Sequence, residues 1–253
     1  MEARVLAALA AAAFAAGTID AIAGGGGLVT LPSLLAAGLP PELALGTNKG
    51  QSTFGSFSAL LNFWRMGAID RSRVLRSFTF GFAGSLLGAS LVLAIPRAWL
   101  RPIVLVLLVG VALRLTLRRS ATATPEPLPA DADPGLRAAV IALGIGAYDG
   151  FFGPGTGTFL ILAYAAWLRD TLARASANAK VVNFASNLAA LAIFSWRGVV
   201  RWDVALPMAA AQFIGGAFGA RLAVKRGDRF VRLVVLGVVI ALVLKIATDL
   251  LRR

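Results

Sequence analysis

The sequence predicts an all-α integral membrane protein made of two homologous multi-helix repeats, inverted relative to one another, each carrying a glycine-rich helix break or re-entrant hairpin. Three observations predict it: charge is scarce, residues recur at a near-constant long spacing, and glycines cluster inside apolar sequence. Hydrophobic residues make up 58% of the 253 residues and charged residues 15%, against about 25% charged in soluble domains. The mean hydropathy of +0.79 makes a bilayer the natural solvent. Residues 77–96 run without a charge, the length that crosses ~30 Å of hydrocarbon as a helix. Residues 204–220 form another such run, and shorter apolar stretches cover 5–19, 50–64, 103–113, 140–148, 159–168, 181–196 and 233–244. A soluble domain has no use for so many.

The recurrence begins on either side of one linker. Residues 120–135 hold four prolines and three acids, and they divide the chain into a first membrane repeat, 1–119, and a second, 136–253. Gly17/Gly146, Asp20/Asp149, Gly24/Gly153 and Gly26/Gly155 match at a spacing of 129. Lys49/Lys180, Phe63/Phe194, Gly67/Gly198, Gly84/Gly215, Gly88/Gly219 and Arg101/Arg232 match at 131. Glycines alone would be weak support in a glycine-rich chain, but paired lysines and aspartates point to duplication. Within each half a glycine cluster, Gly24-Gly25-Gly26-Gly27 or Gly153-Pro154-Gly155-Thr156-Gly157, interrupts apolar sequence. Irregular backbone at membrane depth persists only inside protein or beside a wet cavity, and two breaks at corresponding places point to a transporter binding site.

The formal charge of +13 would suggest nucleic acid in a soluble chain. Here the basic residues sit between apolar runs, as in Arg65, Arg71, Arg73 and Arg76 or Lys225, Arg226, Arg229 and Arg232, which is topology and anionic-lipid chemistry. Inversion gathers these two clusters with Arg118/Arg119 and Arg169/Arg174 on the cytoplasmic side, leaving Arg252/Arg253 outside. Cysteine and histidine are absent, which removes disulfides, thiol chemistry, zinc-type sites and the usual general base. No metal, no cofactor and no enzyme activity are expected. The N-terminus shows no basic leader region and no clear cleavage site, so residue 5 onward reads as mature structure. Trp64, Trp99, Trp167, Trp196 and Trp202 lie near the expected helix ends, as an aromatic belt requires.

Residues 17–32, Gly-Thr-Ile-Asp-Ala-Ile-Ala-Gly-Gly-Gly-Gly-Leu-Val-Thr-Leu-Pro, and 44–49, Ala-Leu-Gly-Thr-Asn-Lys, resemble the pattern of the sulfite exporter TauE/SafE family. So do 148–159, Tyr-Asp-Gly-Phe-Phe-Gly-Pro-Gly-Thr-Gly-Thr-Phe, and 177–187, Ala-Asn-Ala-Lys-Val-Val-Asn-Phe-Ala-Ser-Asn. The resemblance covers nearly the whole chain. It implies a small permease for sulfur-containing anions such as sulfite, sulfonates or related organic acids, multi-pass in a bacterial inner membrane. The partners implied are a small anionic substrate and membrane lipid, with no nucleic acid; a homodimer is compatible with the sequence.

Lys49 and Lys180 each open a long uncharged run, where an unpartnered lysine costs ~2.5–3.5 kcal/mol on insertion scales. Lys180, Asn183 and Asn187 share one helix face, as do Lys49, Ser52 and Ser56. A cation with a row of neutral donors, presented twice, suits a small oxyanion. The motifs add Asn48 and Asn178. Helices starting after the breaks would aim free N–H groups at the same anion, which brings in Gly24, Gly25, Gly26, Gly27, Gly153, Gly155, Thr156 and Gly157, with Thr30 and Thr158 as further hydroxyls. Asp20 and Asp149 either pair with the lysines, cap the breaks or carry protons. Gly84/Gly88 and Gly215/Gly219 read as close helix packing. The expectation is an anion exporter; a passive anion channel and an intramembrane aspartyl protease are the alternatives.

Overall fold

The computed structural model describes residues 1–96, 98–100, 102–104, 106–107 and 133–251. Most of the linker, most of the 103–113 run, and Arg101, Arg118/Arg119 and Arg252/Arg253 lie outside them. The elements are α1 (Ala3–Ala23), α2 (Gly27–Ala36), α3 (Pro41–Arg65), α4 (Arg71–Ala94), α5 (Pro134–Phe151), α6 (Thr156–Trp167), α7 (Leu172–Trp196) and α8 (Trp202–Leu251), with no strand among the described residues. Asp133 to Gly135, which composition places in the linker, start α5: the Asp133 side chain accepts from the Gly135 and Leu136 amides and Pro134 opens the first turn, where its missing N–H is no loss. Gly227, with φ of 68°, breaks α8.

Among the described residues three helices, α1, α4 and α7, are long and apolar enough to cross a membrane. The 25-residue α3 is as long as α7, but its apolar character is diluted by a buried row that includes Thr47, Asn48, Lys49, Gln51 and Ser56. These polar groups face protein, not lipid. The helices α2 and α6 have only 10 and 12 residues, so at 1.5 Å per residue they reach about halfway through a ~30 Å core.

Two central helices, α3 and α7, run antiparallel. The Asp70 amide, just past α3, donates to Asn178 Oδ1 near the start of α7 at 2.9 Å. The Arg201 amide, just past α7, donates to Thr47 Oγ1 near the start of α3 at 3.1 Å. Around this pair, α4 packs on α5 and α7, and α8 packs on α1 and α3. Lipid-facing leucines such as Leu75, Leu87, Leu91 and Leu206 are left exposed on the outer helices, as a hydrocarbon solvent allows.

Small residues set the spacing of the outer pairs. A methyl group on Gly84 or Gly88 would overlap the carbonyl oxygens of Leu143 or Ala147 on α5, and one on Gly215 or Gly219 would overlap those of Phe14 or Thr18 on α1. Backbones at that distance exchange dispersion contacts that larger residues would prevent. Gly88→Val should therefore push α4 off α5 at a cost of at least ~1–3 kcal/mol. Lower yield of monodisperse protein and a lower melting temperature in detergent are expected, while Leu87→Val, on the lipid face, should change neither.

Candidate functional site

Two chain breaks meet at the centre of the bundle. After α1 ends at Ala23, Gly24 and Gly25 adopt φ of 73° and 86°; between α5 and α6, Gly153 and Gly155 adopt 97° and 86°. Only glycine enters this region without strain. Gly24 is also pressed on the backbone of Gly157 and Thr158, so that no Cβ fits, and Thr158 Oγ1 donates to the Ala23 carbonyl at 3.0 Å. The start of α6 is thereby tied to the end of α1. The Gly26 amide, at the start of α2, donates to Asp20 Oδ1 at 3.2 Å.

The aspartates and lysines pair crosswise. Lys49 of α3 lies 2.8 Å from Asp149 of α5, and Lys180 of α7 lies 2.8 Å from Asp20 of α1. Each lysine thus takes its carboxylate from the other half of the chain. Lys49 Nζ also donates to Asn187 Oδ1 at 3.0 Å. Asp149 accepts from Thr156 Oγ1 at 2.9 Å and from Ser186 Oγ. With Lys49 2% and Lys180 0% exposed, neither ammonium would be tolerated alone, and the pairs with their added hydrogen bonds make the burial affordable.

A cavity of about 30 Å³ opens between the pairs, room for roughly two water-sized spheres of 10–15 Å³ or a small polyatomic ion. Its walls carry Lys49, Asn48 and Ser52 from α3, Asn183 and Asn187 from α7, and both aspartates. The breaks contribute Gly25, Gly27, Gly153, Gly155, Thr156 and Gly157. Seven residues expected at such a site lie elsewhere: Thr158 is spent on the Ala23 carbonyl, and Thr30 donates to Asn48 Oδ1 at 2.6 Å behind the wall. Gly24 and Gly26 pack in the first break, Ser56 sits behind Asn187, and Lys180 is buried behind Asp20. Asn178 lies near the start of α7, away from the cavity, where its Nδ2 donates to Asp170 at 3.0 Å. One wall residue, Gln212 of α8, escaped the reading of the sequence. The signal was there: it is the one hydrogen-bonding side chain in the run 204–220.

Asn178 belongs to a clasp at one end of the bundle. Arg73 bridges Asp70 and Asp170, each at 2.9 Å, and Arg174 reaches Asp70 at 3.0 Å. The Ala173 amide donates to Asp228 at 2.8 Å, so the basic groups around residues 65–76, 169–174 and 225–232 gather at this same end. Burial draws the Asp70 carboxyl up, but hydrogen bonds from Ser72 and the charges of Arg73 and Arg174 outweigh it and hold the group below the usual carboxylate range. At the opposite end, Leu39, Val199, Val200 and Val204 are buried together, and Arg201 pairs with its neighbour Asp203, at 2.7 Å.

Half-length helices meeting at a buried polar cavity inside an apolar bundle define a membrane transporter. The family described as Sulfite exporter TauE/SafE matches residues 9–246, and the chain belongs to that family. It is 38% identical over 245 residues to a probable membrane transporter protein, ORF9, of Sinorhizobium, covering 97% of this chain and 93% of that one. It is 37% identical to a probable membrane transporter protein of Haemophilus influenzae, over 90% of this chain and 89% of that one. With the probable membrane transporter protein YfcA of Escherichia coli K12 it shares 39% identity, over 87% and 81%. No solved structure matches the chain. The protein is a membrane transporter and not an enzyme, which removes the aspartyl protease; each aspartate is moreover committed to a lysine instead of to the other aspartate.

Two outcomes are expected from this geometry. Asp149→Asn alone should cost ~3–5 kcal/mol by leaving Lys49 buried without its counter-charge. In double-mutant cycles of thermal stability, Lys49→Gln with Asp149→Asn and Lys180→Gln with Asp20→Asn should show strong coupling. The swapped combinations, Lys49 with Asp20 and Lys180 with Asp149, should show much less. The clasp gives a pH dependence: because the folded pKa of Asp70 is depressed, its stabilisation is complete above the unfolded value of about 3.9 and is lost as pH falls through the folded value. Melting curves below about pH 4 should fall more steeply for the parent protein than for Asp70→Asn.

Proposed function

We propose that the protein exports small sulfur-containing anions, such as sulfite or sulfonates, across the bacterial inner membrane, binding them between two inverted repeats at the glycine breaks. The observation that carries this reading is Lys49: a buried ammonium on a cavity wall, held by Asp149 and flanked by Asn48, Ser52, Asn183 and Asn187. An incoming anion competes with Asp149 for Lys49. Thr156 and Ser186 keep their hydrogen bonds to the displaced carboxylate, so the exchange loosens one cross-half pair while Asp149 stays hydrogen-bonded. Coupling occupancy to the contact between halves favours a carrier over a passive channel. Antiparallel α3 and α7 support inversion, and the end that gathers the basic clusters is assigned to the cytoplasm. An inside-negative potential then drives a monovalent anion outward with ~2.3 kcal/mol per 100 mV, so export requires no coupling ion.

Purified protein in liposomes should move at least one of sulfite, sulfate, thiosulfate or sulfoacetate, saturably and with counterflow, and faster outward when the interior is made negative. The Lys49→Gln/Asp149→Asn double variant, in which neither charge is left alone, should fold and yet lose at least tenfold in flux. A double variant that transports at the parental rate would remove Lys49 from the site. Flux indifferent to potential but steep in a proton gradient would overturn uncoupled export.

A further inference from the structure

Gln212 is 2% exposed, and its Oε1 has no hydrogen-bond partner among the described residues. Leaving a buried amide oxygen unpaired costs ~1–3 kcal/mol, and folded proteins rarely do so without a ligand or a water to meet it. The side chain has nevertheless been given a place. A Cβ on Gly55 of α3 would come within 2.8 Å of the Gln212 carboxamide carbon, and one on Gly17 of α1 within 2.7 Å of its Cγ. Two glycines on two helices clear the slot that carries this amide to the cavity wall.

The neighbouring chemistry shows what the amide lacks. Asn183, 3% exposed and on the same wall, also has an unpartnered oxygen, Oδ1. The two lysines are matched by the two aspartates, so the paired charges nearly cancel, and what remains unmet is hydrogen-bond acceptance. A ligand made only of acceptor oxygens answers Lys49 but leaves both amide oxygens bare. A ligand with an anionic group and an adjacent O–H or N–H answers Lys49 and one of the two amide oxygens.

Resting on the transport reading above, we propose that Gln212 contacts the substrate and determines its specificity, selecting monoanions that carry a hydrogen-bond donor beside the charged group. The position 131 residues earlier is Gly81, which has no side chain to offer. The selecting amide therefore stands on one side of the cavity only, and it orients the ligand: charge toward Lys49, donor toward Gln212.

The test uses two sulfonates that differ by one hydroxyl, isethionate and ethanesulfonate, with the full-length protein in liposomes. The parent should move isethionate about tenfold faster at subsaturating concentration, the effect of one buried hydrogen bond of ~1–1.5 kcal/mol. Gln212→Met, similar in shape but without the amide, should bring the ratio close to one, and Gln212→Asn should restore part of it. The empty Gln212→Met protein should melt at or above the parental temperature, because an unsatisfied polar group has been removed; a purely structural glutamine would lower it. Equal parental rates for the two anions, or a Gln212→Met protein that keeps the parental ratio, would overturn the proposal. A parent that moves neither sulfonate nor any anion of the earlier screen would instead overturn the transport reading, and this one with it.

Discussion

A lysine ammonium in the middle of an apolar bundle dictates what must surround it. Neither Lys49 nor Lys180 reaches solvent, and each is stabilised by a carboxylate from the opposite half of the chain. That requirement fixes much else. Asp20 and Asp149 must stand at the ends of α1 and α5, those helices must stop within a few residues, and α3 and α7 must run side by side to present the lysines. Because the pairs are crossed, neither half can satisfy its own charges. The two halves therefore assemble around the polar centre, and the apolar contacts outside it close on a geometry already constrained.

The breaks follow from the same constraint. A continuous helix through Gly24–Gly27 or Gly153–Gly157 would fill the space that the cavity occupies, and its amides would be spent on its own carbonyls. Positive φ at Gly24, Gly25, Gly153 and Gly155 turns the chain there. The short helices that follow begin at the cavity, with Gly27, Thr156 and Gly157 on its wall. Contact between Gly24 and the Gly157–Thr158 backbone then locks the two breaks together. Substituting these glycines would alter the site by moving backbone, without touching any charged group.

What the sequence disclosed follows from how each residue signals. Lys49, Lys180, Asp20 and Asp149 stand out because a charge in apolar sequence is costly and each recurs at the long spacing. The crossed pairing was not legible, since either aspartate was an equally good partner until α3 and α7 were known to be antiparallel. Asn178 looked equivalent to Asn183 and Asn187 by sequence neighbourhood, yet it lies more than a turn nearer the start of α7 and serves the clasp. Hydropathy was informative for α1, α4 and α7 but understated α3, whose polar row is an inward face. Gln212 does not stand out by recurrence, because its mate at the long spacing is Gly81.

Such unpaired features show where the two halves of the chain differ. Lys49 lines the cavity while Lys180 is shielded by Asp20, so the cavity reaches one lysine directly and the other only through a carboxylate. One end of the bundle is held by Asp70, Arg73, Asp170 and Arg174. The positions 131 residues away from these, Arg201, Val204, Leu39 and Leu43, include the apolar contact at the other end. An ionic clasp depends on water, salt and pH in a way that an apolar seal does not. The two ends therefore open at different costs, and those costs respond to different conditions. Two identical halves would favour neither side of the membrane; on the transport reading proposed above, unequal ends around an unequal cavity would give a preferred resting state and hence a direction in which an arriving ligand can shift it.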